Sequence, residues 1–334
     1  DIQVERVAPG MAKVNGNNGI GPLVGQSALK TAMELARDNG IGVAFARGSN
    51  HFGPVSPYCY IAANAGFASF IGSNATTTIA PWGGREARLG NSPIGFGIPN
   101  PGGTPIILDM AMSVVARAKI RNAAKQGRTI PASWATDRNG APTENPNEAL
   151  EGFLQPIGGH KGYGLALIVD LLAGVLAEAA YLSHVKSWVN APDQPQNLGH
   201  FFILIDTSRL GSDTWLSSRI GDFIDIIHST PPVDPSTPVL LPGEIEMMNL
   251  LRQRREGISI DRATLDRAIG ELARGDIPPE RREKLSAFVA AALEAISKAR
   301  EEQIHQLDIG REATRGLGAG ANPEVGRQAA EDHA

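Results

Sequence analysis

Residues 47–56 (RGSNHFGPVS) contain the residue types that proton transfer and carboxylate binding require. Histidine is the side chain that titrates nearest neutral pH, so His51 could donate or accept a proton. The alternative is a loop histidine that is hydrogen-bonded to backbone. Arg47 could bind a substrate carboxylate through two parallel hydrogen bonds, or it could form a surface salt bridge. The segment therefore predicts either an acid–base site or an ordinary polar loop.

Two other segments could bind an anionic or ribose-containing ligand. Residues 155–167 (QPIGGHKGYGLAL) place four glycines around Lys161, just before an apolar stretch. Glycine lets the backbone approach a ligand, and a helix N-terminus favours anions, so Lys161 could bind a phosphate or carboxylate; otherwise it is a solvated lysine. Asp109 ends an apolar run and could bind ribose hydroxyls or cap a helix. Neither segment has the spacing of a P-loop or of a GxGxxG turn after a strand.

The sequence offers few candidates for a metal site or a thiol nucleophile. The seven histidines are scattered, and none has a glutamate at the spacing of a helical zinc motif. The single cysteine, Cys59, has no partner at metal-ligand spacing, and a nucleophilic pair with His51 is the less favoured alternative. We therefore expect no metal, and a lone cysteine fits a reducing compartment.

An alternation of strands and helices must position these segments. The apolar run at 42–46 predicts a buried strand that leads into the His51 loop, and Ser56-Pro57 predicts the helix start that follows. Residues 1–25 and 73–104 are rich in turn-forming residues and predict irregular chain, with short extended pieces in the second stretch. This pattern is typical of a layered α/β domain, whose ligand sites gather where strands end. Further strands are predicted at 67–72, 106–108 and 200–206, and helices at 26–39, 56–65, 113–125 and 165–180, the last apolar on nearly every face.

After Gly243 the predicted pattern is purely helical, at 244–255, 262–273 and 279–306. Residues 310–334 contain five glycines and no apolar periodicity, which predicts disorder. We therefore expect an α/β domain over 1–243, a C-terminal helical segment over 244–309 and a disordered tail over 310–334.

Composition excludes several classes of protein. The chain has 334 residues, of which 42% are hydrophobic and 20% charged, with a net charge of −4, so wholesale disorder and general electrostatic binding of nucleic acid are excluded. The longest nearly uncharged apolar stretch, residues 165–177, is shorter than the roughly 20 residues that span a bilayer. No secretory signal opens the sequence, and we expect a cytoplasmic protein without a membrane partner.

Taken together and in order, these segments resemble the malate/L-lactate dehydrogenase family of non-Rossmann nicotinamide oxidoreductases. The resemblance runs from about residue 10 to about residue 275. The segments that carry it are SNHFG (49–53), APWGG (80–84), LGNSP (89–93), LDMAMS (108–113), WATDRNGAPTENP (134–146), GGHKGYGLAL (158–167), NLGHFFILID (197–206) and LPGEIE (241–246).

The resemblance implies a three-layer α/β fold with a mixed sheet, NAD or NADP bound by loops at the sheet edge, and a homodimer. It implies hydride transfer between that cofactor and a small 2-hydroxy or 2-oxo acid, with 1–243 as the cofactor-binding and catalytic domain. The family's proton-transferring loop histidine falls on His51, and we expect Arg47 to face the substrate carboxylate. The positions that match family cofactor contacts are Asp109, Met110, Ala111, Lys161, Pro242, Gly243 and Glu244. The family often has a cofactor-contacting Ser or Thr at the position that follows Asn74, and here we expect Asn74 to make that contact instead.

One feature of the family is absent from the printed sequence. Family members usually begin with a helical segment that carries a Ser-His-Gly motif, whose histidine is also assigned to proton transfer, and no such motif precedes residue 10. The alternative expectation is therefore a truncated, non-catalytic relative that keeps the fold and could keep cofactor binding.

Overall fold

The structure divides into two units, residues 1–251 and the described residues from Arg252 onward. The computed structural model describes residues 1–294 apart from 189, 259, 261, 275, 276, 281, 288 and 292. The predicted tail at 310–334 and the end of the predicted helix at 279–306 lie outside the described residues. Within the described part, no helix is both long and apolar enough to cross a bilayer.

The first unit is built on a mixed sheet. In chain order the strands are β1 (Gln3–Ala8), β2 (Met11–Asn15), β3 (Ile41–Ser49), β4 (Phe67–Ser73), β5 (Thr77–Ile79), β6 (Leu89–Gly90), β7 (Ile94–Ile98), β8 (Ile106–Met110) and β9 (Leu198–Asp206). Seven of them form one sheet in the order β1-β2-β3-β9-β4-β7-β8, and β5 pairs with β6. Only the β2–β3 pair of the seven-stranded sheet is parallel.

The helices complete the element list. They are α1 (Gly21–Asn39), α2 (Ser56–Asn64), α3 (Arg117–Lys125), α4 (Pro146–Glu151), α5 (His160–Asp170), α6 (Asp213–His228), α7 (Glu244–Glu256) and α8 (Arg262–Ala273). A π-helical turn, Leu171–Val175, follows α5 directly.

The side-chain alternation of the central strands creates a core on each face of the sheet. On β9, Phe202 and Leu204 join the cluster that includes residues of α1 and α2, whereas Phe201 joins a cluster with Ala166 and Val169 of α5. Successive strand residues point to opposite faces, so helices cover both sides. The predicted three-layer α/β fold with a mixed sheet is confirmed.

Glycine at position 42 lets α1 lie directly on β3. A Cβ atom there would lie 2.0 Å from the Ala32 carbonyl oxygen and 2.5 Å from the Ala36 nitrogen. Real side-chain carbons do not approach backbone so closely, and only glycine fits this contact. The contact holds the strand that leads into the His51 loop.

Several local predictions were wrong. Residues 1–25 are not irregular: β1 and β2 form a hairpin there, and α1 begins at Gly21. Every side chain of β1 is exposed, so its sequence lacks the buried alternation that marks a strand. Helix α6 was not predicted; Ser212 caps it by accepting a hydrogen bond from the Trp215 N–H at 3.2 Å.

The apolar stretch 165–180 is not a helix buried on every side. The α-helix ends at Asp170, and a hydrogen bond from the Leu176 N–H to the Leu171 carbonyl closes the π turn. Ala166, Val169 and Ala173 face the sheet and are buried. A second set of apolar side chains points away from it and is 45–55% exposed: Leu165, Ile168, Leu171, Val175 and Leu176.

Candidate active site

Most of the predicted site residues meet at one edge of the sheet. The C-terminal ends of β3, β4 and β8 lie beside the N-terminal ends of β9 and β7, as the pairs Ser49–Leu198, Ser73–His200 and Ile94–Met110 show. The His51 loop follows β3, Asn74 follows β4, and residues 109–111 end or follow β8. Lys161 and Glu244 are on helices instead.

The His51 imidazole is exposed, and its orientation is set by three contacts. Its Nδ1 accepts a hydrogen bond from the Gly53 N–H at 3.2 Å, and its backbone N–H donates to Oε1 of Gln196 at 3.3 Å. Its ring stacks on the Trp188 indole, with centroids 5.3 Å apart and planes 4° apart. Because Nδ1 is an acceptor, the neutral ring carries its hydrogen on Nε2. No pattern in the sequence identified Trp188 as a neighbour.

A buried histidine lies beneath this loop. His200 is fully buried; its Nδ1 is 2.8 Å from Oγ of Ser73 and its Nε2 is 2.7 Å from Oγ of Ser49. Each hydroxyl also has a backbone carbonyl acceptor, Asn74 for Ser73 at 2.8 Å and Asn50 for Ser49 at 3.2 Å, and a neutral ring donates to one serine and accepts from the other. Burial, and secondarily the nearby His51, lowers the pKa of His200 from 6.5 to about 3.

His200 therefore links the C-terminal end of β3, which precedes the His51 loop, to the C-terminal end of β4, which precedes Asn74. Its ring also stacks on Phe52, the neighbour of His51, with centroids 4.1 Å apart. Sequence reasoning did not identify this residue. The signal that could have found it is a histidine directly before an apolar run, in HFFILID.

The Asn74 side chain is used within the fold. It is 1% exposed; its Oδ1 accepts from the Gly199 N–H at 3.0 Å and its Nδ2 donates to the Ala180 carbonyl at 2.6 Å. Nearby, burial raises the pKa of Asp170, while hydrogen bonds from the Leu182 N–H and from Asn74 act in the opposite direction. The Asn74 amide is thus already used within the fold, and its cofactor contact stays a prediction.

Arg47 forms the salt bridge that was one of its two predicted roles. Its Nη1 is 2.5 Å from Oε2 of Glu178, and Lys13 pairs with the same carboxylate. The Lys13 ammonium, and after it the Arg47 guanidinium, lowers the pKa of Glu178. A substrate carboxylate would have to compete with Glu178 for Arg47.

Asp109 caps a helix and also lines a cavity. Its Oδ2 accepts a hydrogen bond from the Ser56 N–H at 2.7 Å, at the first residue of α2. The cavity has a volume of about 740 Å³ and contains Asp109 together with Pro242 and Gly243. The other lining residues are Ser56, Pro57, Tyr60, Ile107, Leu108, Leu240, Leu241, Ile245, Glu246, Met247 and Leu250.

The turn at Pro242 and Gly243 is fixed against β8. The Pro242 carbonyl accepts from the Ile107 N–H at 3.2 Å. Gly243 has φ +91°, and a Cβ there would lie 2.9 Å from the Ile107 carbonyl oxygen, so this position requires glycine. Oε2 of Glu244 accepts from the Leu241 N–H at 2.7 Å and lies 3.0 Å from Nε2 of His228. Glu244 therefore stabilises the turn that precedes its own helix and does not line the cavity.

The glycine-rich segment around Lys161 joins the same sheet edge through backbone bonds. The Ile157 N–H donates to the Met112 carbonyl at 2.9 Å, directly beyond Met110 and Ala111. Trp82 meets the His160 ring edge-on at 5.9 Å. Lys161 itself is exposed on the first turn of α5 and lines neither the larger cavity nor a second cavity of about 420 Å³ beside Trp82.

The other chemistries considered find no support among the described residues. In that part of the chain, no group of three or more His, Cys, Asp or Glu side chains is arranged to hold a metal ion. Cys59 is buried, and burial raises the pKa of its thiol to about 12. A thiol with that pKa is protonated at neutral pH, which disfavours the nucleophilic pair with His51.

A family model described as malate/L-lactate dehydrogenase matches residues 1–268. The chain belongs to the malate/L-lactate dehydrogenase family. The resemblance inferred from the sequence segments is thereby confirmed, and with it membership of a family of oxidoreductases.

Known relatives agree with this assignment. L-sulfolactate dehydrogenase of Methanothermobacter thermautotrophicus is 36% identical over 283 residues, which cover 85% of this chain and 81% of the relative. Malate/(S)-sulfolactate dehydrogenase of Methanothermus fervidus is 35% identical over 267 residues, covering 80% and 77%. The solved structure of sulfolactate dehydrogenase from Methanocaldococcus jannaschii superposes with a TM-score of 0.73 at 33% identity, covering 80% of this chain and 76% of that one.

Proposed function

We propose that the chain is an NAD- or NADP-dependent dehydrogenase that transfers a hydride to or from C2 of a small 2-hydroxy or 2-oxo acid. The observation that carries the proposal is the meeting of family-matched segments at one sheet edge. The His51 loop and Asp109 lie there, and the Pro242–Gly243 turn, which is hydrogen-bonded to Ile107 of β8, shares the larger cavity with Asp109.

The larger cavity fits part of a nicotinamide dinucleotide. Its volume of about 740 Å³ is typical of small-molecule sites, which span roughly 300–1,000 Å³. Its apolar walls suit a planar base, and the Asp109 carboxylate suits ribose hydroxyls. Asp109, Pro242 and Gly243 would hold the nucleoside, with Met110 and Ala111 beside them. Lys161, which lines neither cavity, is assigned to a phosphate from the family match. When bound, the nicotinamide ring supplies the hydride chemistry.

His51 is assigned to the substrate oxygen. In the described arrangement its Nε2–H can donate a hydrogen bond to a carbonyl and polarise it. Complete proton transfer from Nε2 requires the imidazolium, which carries hydrogens on both nitrogens and keeps the one on Nδ1 afterwards; an Nδ1–H conflicts with the hydrogen bond from Gly53. Transfer at Nε2 therefore requires the loop to release Nδ1, and we expect ligand binding to lengthen that bond. His200, beneath the loop, stays neutral and holds the two strand ends in register.

The cation that faces the substrate carboxylate is assigned to Arg47. Its guanidinium is bound to Glu178 at the surface, and that ion pair is exposed. Solvent-exposed ion pairs contribute little to stability, so a bidentate substrate carboxylate can displace Glu178 at small cost.

The proposal includes a homodimer, as the resemblance implies. The outward apolar side chains of α5 and its π turn, among them Leu165, Ile168 and Leu176, give a surface that a second copy could bury. Light scattering on the purified chain tests this part separately from the chemistry.

The experiment has two stages. Purified protein is titrated with NADH and NADPH while nicotinamide fluorescence is followed, and cofactor oxidation is then measured by absorbance with pyruvate, oxaloacetate, 3-sulfopyruvate and a cyclic 2-imino acid. We expect binding and turnover with at least one acid. His51→Gln should lower kcat by about 100-fold or more with little change in cofactor Kd, whereas His184→Gln, a change at an exposed histidine, should leave kcat unchanged.

Each alternative gives a different result. Cofactor binding without reduction of any acid would support the non-catalytic relative. Failure to bind either cofactor would contradict the proposed function, and an unchanged kcat in His51→Gln would remove His51 from the mechanism.

A further inference from the structure

The charged side chains that line the larger cavity are all acidic. Asp109 and Glu246 contribute carboxylates, and none of the described lining residues is Lys, Arg or His. The remaining wall is apolar or uncharged. A phosphate placed in such a site loses its hydration without gaining a cation, which is strongly unfavourable.

The Asp109 carboxylate is held in a fixed position. Its Oδ2 accepts the Ser56 N–H at 2.7 Å, at the N-terminus of α2, where a negative charge is favoured. Among the described contacts this is the one hydrogen bond that the Asp109 carboxylate makes, and it leaves the second oxygen, Oδ1, available to a ligand hydroxyl.

NAD and NADP differ at one group on the adenosine ribose. NAD carries a 2′-hydroxyl, which can donate a hydrogen bond to a carboxylate, whereas NADP carries a 2′-phosphate, which sites usually bind with an arginine. We propose that the larger cavity binds the adenosine ribose and that Asp109, assisted by Glu246, selects NAD over NADP. This inference rests on the proposed function, because it assigns the cavity to the nicotinamide cofactor.

Calorimetric titration of the full chain with NADH and with NADPH tests the selection by binding alone. We expect NADH to bind at least about 10-fold more tightly, since a dianion beside two carboxylates is repelled. Adenosine 5′-monophosphate should compete with NADH, and adenosine 2′-monophosphate should not.

Two variants test the residues. Asp109→Asn keeps an oxygen for the Ser56 N–H and removes the charge, and Glu246→Gln removes the other charge on an exposed helix face. Both variants should lower the ratio of the Kd for NADPH to the Kd for NADH. We expect Asp109→Asn to lower this ratio by about 10-fold and Glu246→Gln to lower it by less. Glu5→Gln, which makes the same charge change on the exposed strand β1 at the opposite edge of the sheet, should leave the ratio unchanged.

The outcomes separate this inference from the proposed function. Equal affinities for the two cofactors, or tighter binding of NADPH, would overturn the inference and leave the proposed function standing. An unchanged ratio in a folded Asp109→Asn, or in Glu246→Gln if Asp109→Asn does not fold, would overturn the assignment of selectivity to these carboxylates. Failure to bind either cofactor would instead contradict the proposed function.

Discussion

Acidification should destabilise the folded chain through His200. Its pKa is about 3 in the folded protein and 6.5 as a free side chain, so the unfolded chain binds a proton between these values and the folded chain does not. His200 therefore contributes its full stabilisation above pH 6.5, its pKa in the unfolded chain. It loses that stabilisation as the pH falls toward about 3, its pKa in the folded chain. The slope is about 1.4 kcal/mol per pH unit, which gives a loss of about 2 kcal/mol at about pH 5.

The assay compares the wild type with His200→Gln by urea unfolding at about pH 7.5 and about pH 5, followed by tryptophan fluorescence. Glutamine keeps one hydrogen bond in place of the two imidazole bonds and does not titrate, so the variant is less stable at the higher pH. The difference in unfolding free energy between the two proteins should shrink by about 2 kcal/mol at the lower pH. Other titrating groups are common to both proteins and cancel.

A stability difference that is the same at both pH values would refute this reasoning. It would mean that His200 is protonated inside the fold, or that the unfolded chain does not titrate it freely. The bonding scheme with Ser49 and Ser73, which requires a neutral ring, would then be wrong.

Two further predictions concern a binding residue and a packing contact. Lys161→Ala should weaken cofactor binding by roughly 1–3 kcal/mol, measured by fluorescence titration, because it removes a charged hydrogen-bond donor from a helix N-terminus; equal dissociation constants would exclude this role. Gly42→Ala should lower the free energy of unfolding by about 1–3 kcal/mol or more, because its Cβ would lie 2.0 Å from the Ala32 carbonyl. A melting temperature equal to the wild type's would show that α1 does not lie on β3 as described.

The sequence was sufficient to predict secondary structure where each strand, loop or helix is specified by residues within its own segment. The apolar run at 42–46, the glycine-flanked loop and Ser56-Pro57 predicted a strand, a loop and a helix, and β3 and α2 are found there. Placing His51 and Asp109 at strand ends was enough to predict that both lie at a sheet edge. The chemical roles of these residues remain predictions.

Contacts between distant parts of the chain could not be predicted. The insertion of β9 between β3 and β4 brings His200 to Ser49, 151 positions away, and no local pattern encodes that strand order. Asp109 caps α2 across 53 positions, although its sequence indicated only a helix cap or a ribose contact. The amide of Asn74 is bound by Gly199 and Ala180, which are adjacent only in the folded sheet. Apolar composition alone also cannot distinguish a buried helix from α5, one face of which is exposed.

The proposed reaction moves a hydride between a nicotinamide and C2 of a small acid. The most direct measurement is deuterium transfer: the protein is incubated with each of the two stereoisomers of C4-deuterated NADH and the 2-oxo acid that supports fastest cofactor oxidation, and the product is analysed by mass spectrometry. The account predicts that one stereoisomer delivers deuterium to C2 of the 2-hydroxy acid and the other does not. A product without deuterium from both stereoisomers, or no product with any acid tested, would contradict it.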